Sequence, residues 1–151
     1  LPEGTISKAQ VPSLTIINTK PGFGWLPNYL ETFLSQSTWK TVTVATMAKL
    51  YNKIFKHYSA LTCDNDLHIP FQGHDFSVRG MSSTEDSIKS GIAALTQSWG
   101  SDSVHAAYSA KEHYNFTNDI PLAFSVPATE HSIMQIGIEL EYQKLLAGSN
   151  E

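Results

Sequence analysis

The stretch GHDFSVRGMSSTEDSIKSGIAALTQSWGSDSVHAAYSA, residues 73–110, decides the fold because strand-like and helix-like patterns alternate along it. The segment His74-Asp75-Phe76-Ser77-Val78 predicts a short strand. The segment Ser82-Ser83-Thr84-Glu85 predicts a capping box, which opens a helix that runs to about Trp99. Such alternation is typical of a parallel sheet, in which binding sites gather at the carboxyl ends of the strands.

The alternation continues towards the end of the chain. The sequence predicts a helix over 103–114, a turn over 115–119, an apolar strand over 120–126 and a last helix from Thr129 to Gly148. Three residues of the helix 103–114 are expected to face inward: Val104, Ala107 and Tyr108. Two clear strands cannot close a barrel, so we expect the chain to be the interior of a longer one.

The first half of the chain has a different pattern. Strand-like pieces occur over 5–19, and apolar periodicity predicts two helices, over 25–36 and 43–60. A polar loop is predicted over 62–72. An isolated hairpin is marginal in water, so the early strands are expected to join a sheet whose other strands lie outside this sequence.

Composition excludes several classes of protein. The 151 residues are 41% hydrophobic and 16% charged, which supports a packed core rather than disorder. The net charge of −4 and the scattered basic residues argue against nucleic acid or an anionic membrane as a partner. The single cysteine, Cys63, excludes an internal disulfide, and together with the absence of a signal pattern it predicts a cytoplasmic location.

Three residues that follow predicted strands are candidates for chemistry. Arg79 follows the first strand, Asp102 follows a short strand near Gly100, and His131 lies in the first turn of the last helix. Each also has a simple structural interpretation: a surface arginine, an N-cap carboxylate and a solvated histidine. Their common position at strand ends favours a binding site. No spacing typical of metal ligands occurs, so no metal site is predicted.

Three stretches resemble the nicotinamide phosphoribosyltransferase family, with the bacterial and phage members more similar than the animal ones. They are His74–Ser83 (HDFSVRGMSS), Gly100–Val104 (GSDSV) and Ser125–Ser132 (SVPATEHS). Shorter matches at Leu1–Gly4, Leu30–Thr32 and Val42–Thr46 have the same order and extend the resemblance over nearly the whole chain.

The resemblance implies an α/β fold of the type II phosphoribosyltransferases. Residues 1–72 would form part of a sheet-and-helix domain at the edge of a mixed sheet. Residues 73–151 would form the opening strands and helices of an irregular α/β barrel.

The resemblance also implies a reaction, in which nicotinamide and phosphoribosyl pyrophosphate give nicotinamide mononucleotide and pyrophosphate in NAD salvage. Phe76 would stack on the pyridine ring, Arg79 would bind the phosphate-bearing side, and Asp102 would accept a hydrogen bond from the carboxamide. ATP would phosphorylate His131. The base pocket and its tunnel would be lined by His74, Ser125, Val126 and Ala128.

Further implications concern partners and completeness. The residues that bind phosphoribose in the family lie downstream of this sequence, so the 151 residues alone would be inactive. Mg²⁺ would enter bound to phosphoribosyl pyrophosphate, and none of its protein ligands would come from this chain. A homodimer with shared active sites is implied. Two alternatives stay open: nicotinate phosphoribosyltransferase, which Asp102 disfavours, and a truncated fragment that only binds.

Strict strand alternation would place Phe76 and Arg79 on opposite faces. Both can face one site if the strand ends near Val78 and the chain turns at Gly80, where glycine permits the turn.

Overall fold

The computed structural model describes residues 1–115 and 122–148, and within them five α-helices, a 3₁₀ turn and two short strands. In chain order these are α1 (Leu26–Thr62), α2 (Ile69–Gln72), β1 (His74–Asp75), the 3₁₀ turn (Ser77–Gly80), α3 (Thr84–Leu95), β2 (Gly100–Ser101), α4 (Val104–Tyr114) and α5 (His131–Gly148). None of the described helices is long and apolar enough to cross a membrane.

Helix α1 joins the two helices predicted for the first half, so the expected break between residues 36 and 43 was wrong. The polar residues there fit a helix because their hydroxyls donate to carbonyl oxygens four residues earlier. Ser37 Oγ donates to Phe33 O and Thr38 Oγ1 to Leu34 O, each at 2.7 Å. These side chains bond back to their own helix instead of capping a new one.

Two other predictions for this half were wrong. The predicted strands over 5–19 are absent, and residues 1–25 run without a helix or strand. A strand needs a partner for its backbone groups, and within the described residues no segment pairs with this one. The predicted loop over 62–72 contains the single-turn helix α2, whose Ile69 is buried.

The two strands form a parallel pair, as the alternating pattern predicted. His74 lies opposite Gly100 and Asp75 opposite Ser101. Gly100 also makes a parallel bridge to Phe124, so the segment that contains Phe124 continues the sheet beside β2. The molecule is therefore mostly helical with a small parallel sheet, which is compatible with an α/β fold.

Glycine at position 100 is required by a close approach. A Cβ atom at this position would lie 2.7 Å from Nδ1 of His74 on β1 and 3.1 Å from the carbonyl oxygen of Gly73. No larger residue fits there without moving the backbone, so Gly100 lets β2 lie directly against the His74 ring.

The first strand is shorter than predicted. It ends at Asp75, and residues Ser77–Gly80 form the 3₁₀ turn instead of completing a strand to Val78. Oδ1 of Asp75 accepts a hydrogen bond from the backbone N–H of Ser77 at 2.9 Å. Aspartate commonly bonds the backbone two residues on and so favours a turn.

Helix α3 packs between α1 and α4. A Cβ at Gly91 would lie 2.4 Å from Cβ of Ala106, so the small residues at these positions bring α3 and α4 together. The inward residues of α4 are Ala106 and Ala110, whereas Val104 and Tyr108 are 77% and 64% exposed. The predicted inward face of α4 was wrong because small residues, not the largest apolar ones, fit against Gly91.

The predicted cap of α3 lies one residue later than expected. Ser83 is the N-cap, and its Oγ accepts a hydrogen bond from Asp86 N at 3.1 Å. The carboxylate of Asp86 in turn accepts from Ser82 Oγ at 2.7 Å and forms an ion pair with Lys40 of α1. Asp86 therefore ties the start of α3 to α1.

The last two predicted segments are described in part. Helix α4 ends at Tyr114, and the next residue, Asn115, has a φ of 53° and so adopts the left-handed conformation common after helix ends. The rest of the predicted turn and the first two residues of the predicted strand 120–126 lie outside the described residues. Helix α5 begins at His131, two residues after the predicted cap Thr129.

The Lys40–Asp86 pair should make stability depend on pH in acid. The hydrogen bond from Lys40, followed by that from Ser82, lowers the pKa of Asp86 from 3.8 to about 2. The stabilisation is complete above pH 3.8 and is lost as the pH falls through about 2. We expect Asp86→Asn to lower the free energy of unfolding of the full-length protein at neutral pH, and the difference from wild type to shrink over that acid range.

Chemical denaturation at a series of pH values measures this difference. Glu85→Gln is the matched control, since Glu85 is an exposed acid in the same first turn of α3. A difference between wild type and Asp86→Asn that stayed constant with pH, or an equal loss in Glu85→Gln, would contradict the assignment.

Candidate functional site

A cluster of polar and aromatic side chains lies where β1 and β2 end. His74 lies on β1, Phe76 is the first residue after β1, and Asp102 is the first residue after β2. The backbone N–H of Asp102 donates to the carbonyl oxygen of Asp75 at 3.0 Å, which continues the parallel pairing by one residue. Parallel pairing therefore brings side chains 28 residues apart in sequence to the same edge of the sheet. Of the three residues predicted from strand ends, Asp102 is the one that lies in this cluster.

His74 and Asp102 are in direct contact. Nε2 of His74 lies 2.9 Å from Oδ1 of Asp102, while the His74 side chain is 10% exposed and that of Asp102 is 45% exposed. Nδ1 of His74 is buried and has no hydrogen-bond partner among the described residues. The geometry suits a His74 ring that donates from Nε2 to Asp102, because a proton on Nδ1 would be buried without an acceptor.

Phe76 presents an aromatic face beside this pair. Its ring centroid lies 4.4 Å from that of His74 with the planes inclined by 31°, and Phe76 is 52% exposed. One face of Phe76 is thus supported by His74, while much of the side chain stays open to solvent. An exposed ring next to an exposed carboxylate can hold a flat ligand that carries a hydrogen-bond donor.

Ser125 also joins the cluster. It follows Phe124, whose bridge to Gly100 continues the sheet beside β2. Its Oγ donates to Oδ1 of Asp102 at 3.4 Å, which is a long bond. The segment is held by an edge-on aromatic contact between Phe124 and Phe71 and by a bond from Phe124 N to Trp99 O at 2.7 Å. Ser125 therefore has a defined position beside the carboxylate.

The other predicted site residues are not brought into contact with this cluster. Arg79 lies in the 3₁₀ turn and is exposed, and no described hydrogen bond or ion pair joins it to His74 or Asp102. Val126 is partly buried and Ala128 is exposed on the segment that leads to α5. Phe76 and Arg79 were expected to face one site through a turn at Gly80. The turn begins at Phe76 instead, so the backbone leaves the strand before it reaches either Arg79 or Gly80.

His131 is the first residue of α5 and is exposed. Its backbone lies in the first turn, where unpaired N–H groups and the helix dipole favour a negatively charged group. Within the described residues no hydrogen bond joins His131 to the cluster at the strand ends.

Sequence reasoning missed Asp75, which is central to this site. Both of its carboxylate oxygens are bonded: Oδ1 accepts from Ser77 N at 2.9 Å and Oδ2 from Ser103 Oγ at 2.8 Å. The sequence did contain a signal for the bond to Ser77, since an aspartate two residues before a serine is typical of a side-chain turn. The bond to Ser103 could not be foreseen without the register of the strands.

No group of three or more His, Cys, Asp or Glu side chains in the ranges 1–115 and 122–148 could hold a metal ion. What the site offers is one exposed aromatic ring and one carboxylate acceptor, whose contacts to His74 and Ser125 both go to Oδ1. Such a set binds an organic ring with a polar substituent.

Comparison with models of known protein families found no match. Curated proteins do match: the chain is 44% identical over 139 residues to the nicotinamide phosphoribosyltransferase of Acinetobacter baylyi, which covers 92% of this chain and 27% of that protein. The enzyme of the same name from Xanthomonas campestris is 36% identical and covers 87% of the chain and 28% of the relative. That from Mycoplasma genitalium is 34% identical, covering 78% and 23%.

The chain spans about a quarter of the length of these curated relatives. All three similarities extend over most of the chain, so the resemblance seen in three short stretches is confirmed across its length.

Proposed function

We propose that this chain, which belongs with the nicotinamide phosphoribosyltransferases by sequence, supplies the nicotinamide-binding part of such an enzyme. In the proposed reaction the pyridine nitrogen of nicotinamide attacks C1 of phosphoribosyl pyrophosphate. The C–N bond forms as the bond to the pyrophosphate oxygen breaks, and nicotinamide mononucleotide and pyrophosphate are released. The enzyme is thus proposed to be a pentosyltransferase of NAD salvage.

The observation that supports this function best is the His74–Phe76–Asp102 cluster at the strand ends. Nicotinamide has a flat ring and a carboxamide whose NH₂ group donates hydrogen bonds. The exposed face of Phe76 can stack on the ring, and Oδ2 of Asp102 can accept from the NH₂ group, because the His74 and Ser125 contacts both go to Oδ1. His74 and Ser125 would line the pocket, with Val126 and Ala128 further along the tunnel.

Arg79 would bind the phosphate on the ribose side. A guanidinium group suits phosphate because its planar fork can donate two parallel hydrogen bonds. Arg79 lies three residues after Phe76, on the turn that starts at the same strand end. The ring and the phosphate of one mononucleotide would therefore be bound by the same short segment.

His131 would be phosphorylated by ATP, which couples ATP hydrolysis to synthesis. The exposed imidazole at the beginning of α5 fits this role, because the first turn of a helix favours the added negative charge. ATP would supply the phosphoryl group, and the chain's own contribution is the accessible imidazole. Mg²⁺ would arrive bound to phosphoribosyl pyrophosphate, without ligands from this chain.

The larger architecture is also a proposal. Residues 1–72 would belong to a sheet-and-helix domain and residues 73–151 would open an irregular α/β barrel of the type II phosphoribosyltransferase fold. The complete protein would be a cytoplasmic homodimer with active sites shared between subunits.

The test is synthesis by the full-length protein supplied with nicotinamide and phosphoribosyl pyrophosphate, followed as mononucleotide and pyrophosphate formed. Phe76→Leu should raise KM for nicotinamide about fivefold, because the lost ring contact contributes about 1 kcal/mol and 1.4 kcal/mol corresponds to about tenfold. The KM for phosphoribosyl pyrophosphate should stay unchanged.

Tyr108→Leu is the matched control, since Tyr108 is an exposed aromatic residue on α4. Absence of mononucleotide formation by the wild-type protein would contradict the proposed function. An unchanged KM in Phe76→Leu would contradict the stacking role alone.

A further inference from the structure

Asp75 connects the segments that carry the proposed nicotinamide contacts. Its Oδ1 holds Ser77 N at 2.9 Å, which fixes the turn that begins at Phe76. Its Oδ2 accepts from Ser103 Oγ at 2.8 Å, and its carbonyl oxygen accepts from Asp102 N at 3.0 Å. Asp75 therefore bonds to the backbone of Ser77, beside Phe76, and to the backbone of Asp102.

The surroundings make this arrangement rigid. Ser103 is completely buried, and its N–H donates to Ser101 Oγ at 3.0 Å, so the group that bonds to Asp75 is itself held in place. Helix α3 approaches closely, since a Cβ at Gly91 would lie 3.4 Å from Oδ2 of Asp75. The carboxylate has little room to move.

Asp75 itself points away from the ligand side. On a strand, successive side chains point to opposite faces, so Asp75 points opposite to His74, which contacts Asp102. Its bonds go to Ser77 and Ser103 and not to the Phe76–Asp102 face. It is suited to fix the separation between an aromatic ring and a carboxylate without touching what they bind.

We propose that Asp75 is a positioning residue for nicotinamide, which sets the distance between the ring of Phe76 and the carboxylate of Asp102. This inference rests on the proposed function. The Phe76 ring fixes the plane of the bound base and Asp102 fixes its carboxamide, so a shift of one against the other weakens both contacts at once. Asp75 reaches the phosphate side only through its bond to Ser77 N, because Arg79 lies on the same turn, whereas the bond to Ser103 acts on the nicotinamide side alone.

The test is steady-state kinetics of the full-length protein with both substrates varied. Asp75→Ala removes both side-chain bonds, and we expect KM for nicotinamide to rise about tenfold, since small displacements of positioned groups cost binding and rate steeply. The KM for phosphoribosyl pyrophosphate should rise less than that for nicotinamide, because Arg79 lies on the turn that Asp75 holds but Asp102 and Phe76 depend on both bonds. Asp75→Asn should stay within about twofold of wild type, because its amide can accept from Ser77 N and donate to Ser103 Oγ.

Two further variants complete the test. Ser103→Ala removes one of the two bonds and should give a smaller rise in the same KM, which keeps the proposal testable if Asp75→Ala does not fold. Ser77→Ala is the matched control: it removes a buried hydroxyl that has no partner among the described residues and keeps the backbone N–H that bonds to Asp75. It should behave as wild type.

Three results would overturn the proposal: unchanged KM for nicotinamide in Asp75→Ala and Ser103→Ala, equal rises for both substrates, or a folded Asp75→Asn as impaired as Asp75→Ala. These outcomes require an active wild-type protein. An inactive wild type would instead overturn the proposed function, so the two failures are distinguishable.

Discussion

Replacing His131 with alanine in the full-length enzyme should abolish ATP hydrolysis while weak, ATP-independent synthesis of nicotinamide mononucleotide persists. An alanine cannot accept a phosphoryl group, so the proposed phosphohistidine and its proposed coupling to synthesis would both be lost. We expect a decrease of at least about a hundredfold in the rate of ATP hydrolysis. The binding of nicotinamide should be unaffected, because within the described residues no hydrogen bond joins His131 to His74 or Asp102.

The measurement is transfer of labelled phosphate from ATP to the protein, together with the rate of ATP hydrolysis and the rate of nicotinamide mononucleotide formation. His113→Ala is the matched control, because His113 is also an exposed histidine near a helix end, in the last turn of α4. Label that remained on the His131→Ala protein would show that another residue accepts the phosphoryl group.

The strand ends predicted where the candidate cluster lies, but only one of the residues that form it. Residues at the ends of parallel strands meet because the ladder fixes their positions, and the alternation of strands and helices was enough to place Asp102 at this edge. Arg79 and His131, which were predicted on the same ground, do not contact the cluster. His74, Phe76 and Ser125 were named only through the family resemblance. Their exact contacts could not be foreseen, since the His74–Asp102 distance depends on the close approach that Gly100 allows.

The elements that were predicted incorrectly share a physical cause. Periodicity shows which residues are apolar, but it does not show what covers them. In α5 no residue is buried, although the apolar residues Ile133, Ile136, Leu140 and Leu145 recur along it at nearly helical spacing. The strands predicted over 5–19 likewise lack a partner in the described residues. Burial and pairing depend on neighbouring segments, which a local pattern cannot supply.

The site residue missed by sequence reasoning shows the same limit. Asp75 has a local bond to Ser77, which a turn pattern can predict, and a bond to Ser103 across 28 residues, which it cannot. Both bonds together give Asp75 its place between the Phe76 turn and the start of α4. Non-local bonds therefore distinguish a positioning residue from an ordinary turn residue.

Asp102→Ser in the full-length enzyme should shift its preference from the amide substrate towards the acid. The carboxylate of Asp102 can accept a hydrogen bond from the NH₂ group of nicotinamide, whereas nicotinate presents acceptors and a negative charge at the same place. Two like charges about 4 Å apart at an effective dielectric constant of about 20 repel by about 4 kcal/mol. Asp102 is nearly half exposed, so solvent screening reduces this repulsion.

A quarter of that repulsion still gives a several-fold preference for nicotinamide, because about 1.4 kcal/mol is tenfold. Serine removes the charge and can donate to a carboxylate, so kcat/KM should fall for nicotinamide and rise for nicotinate. The ratio of the two specificity constants, compared between wild type and variant, measures the effect. Asp64→Ser is the matched control, since Asp64 is an exposed acid in the loop after α1. An unchanged ratio in Asp102→Ser would mean that Asp102 does not face the carboxamide and that its carboxylate only bonds to His74 and Ser125.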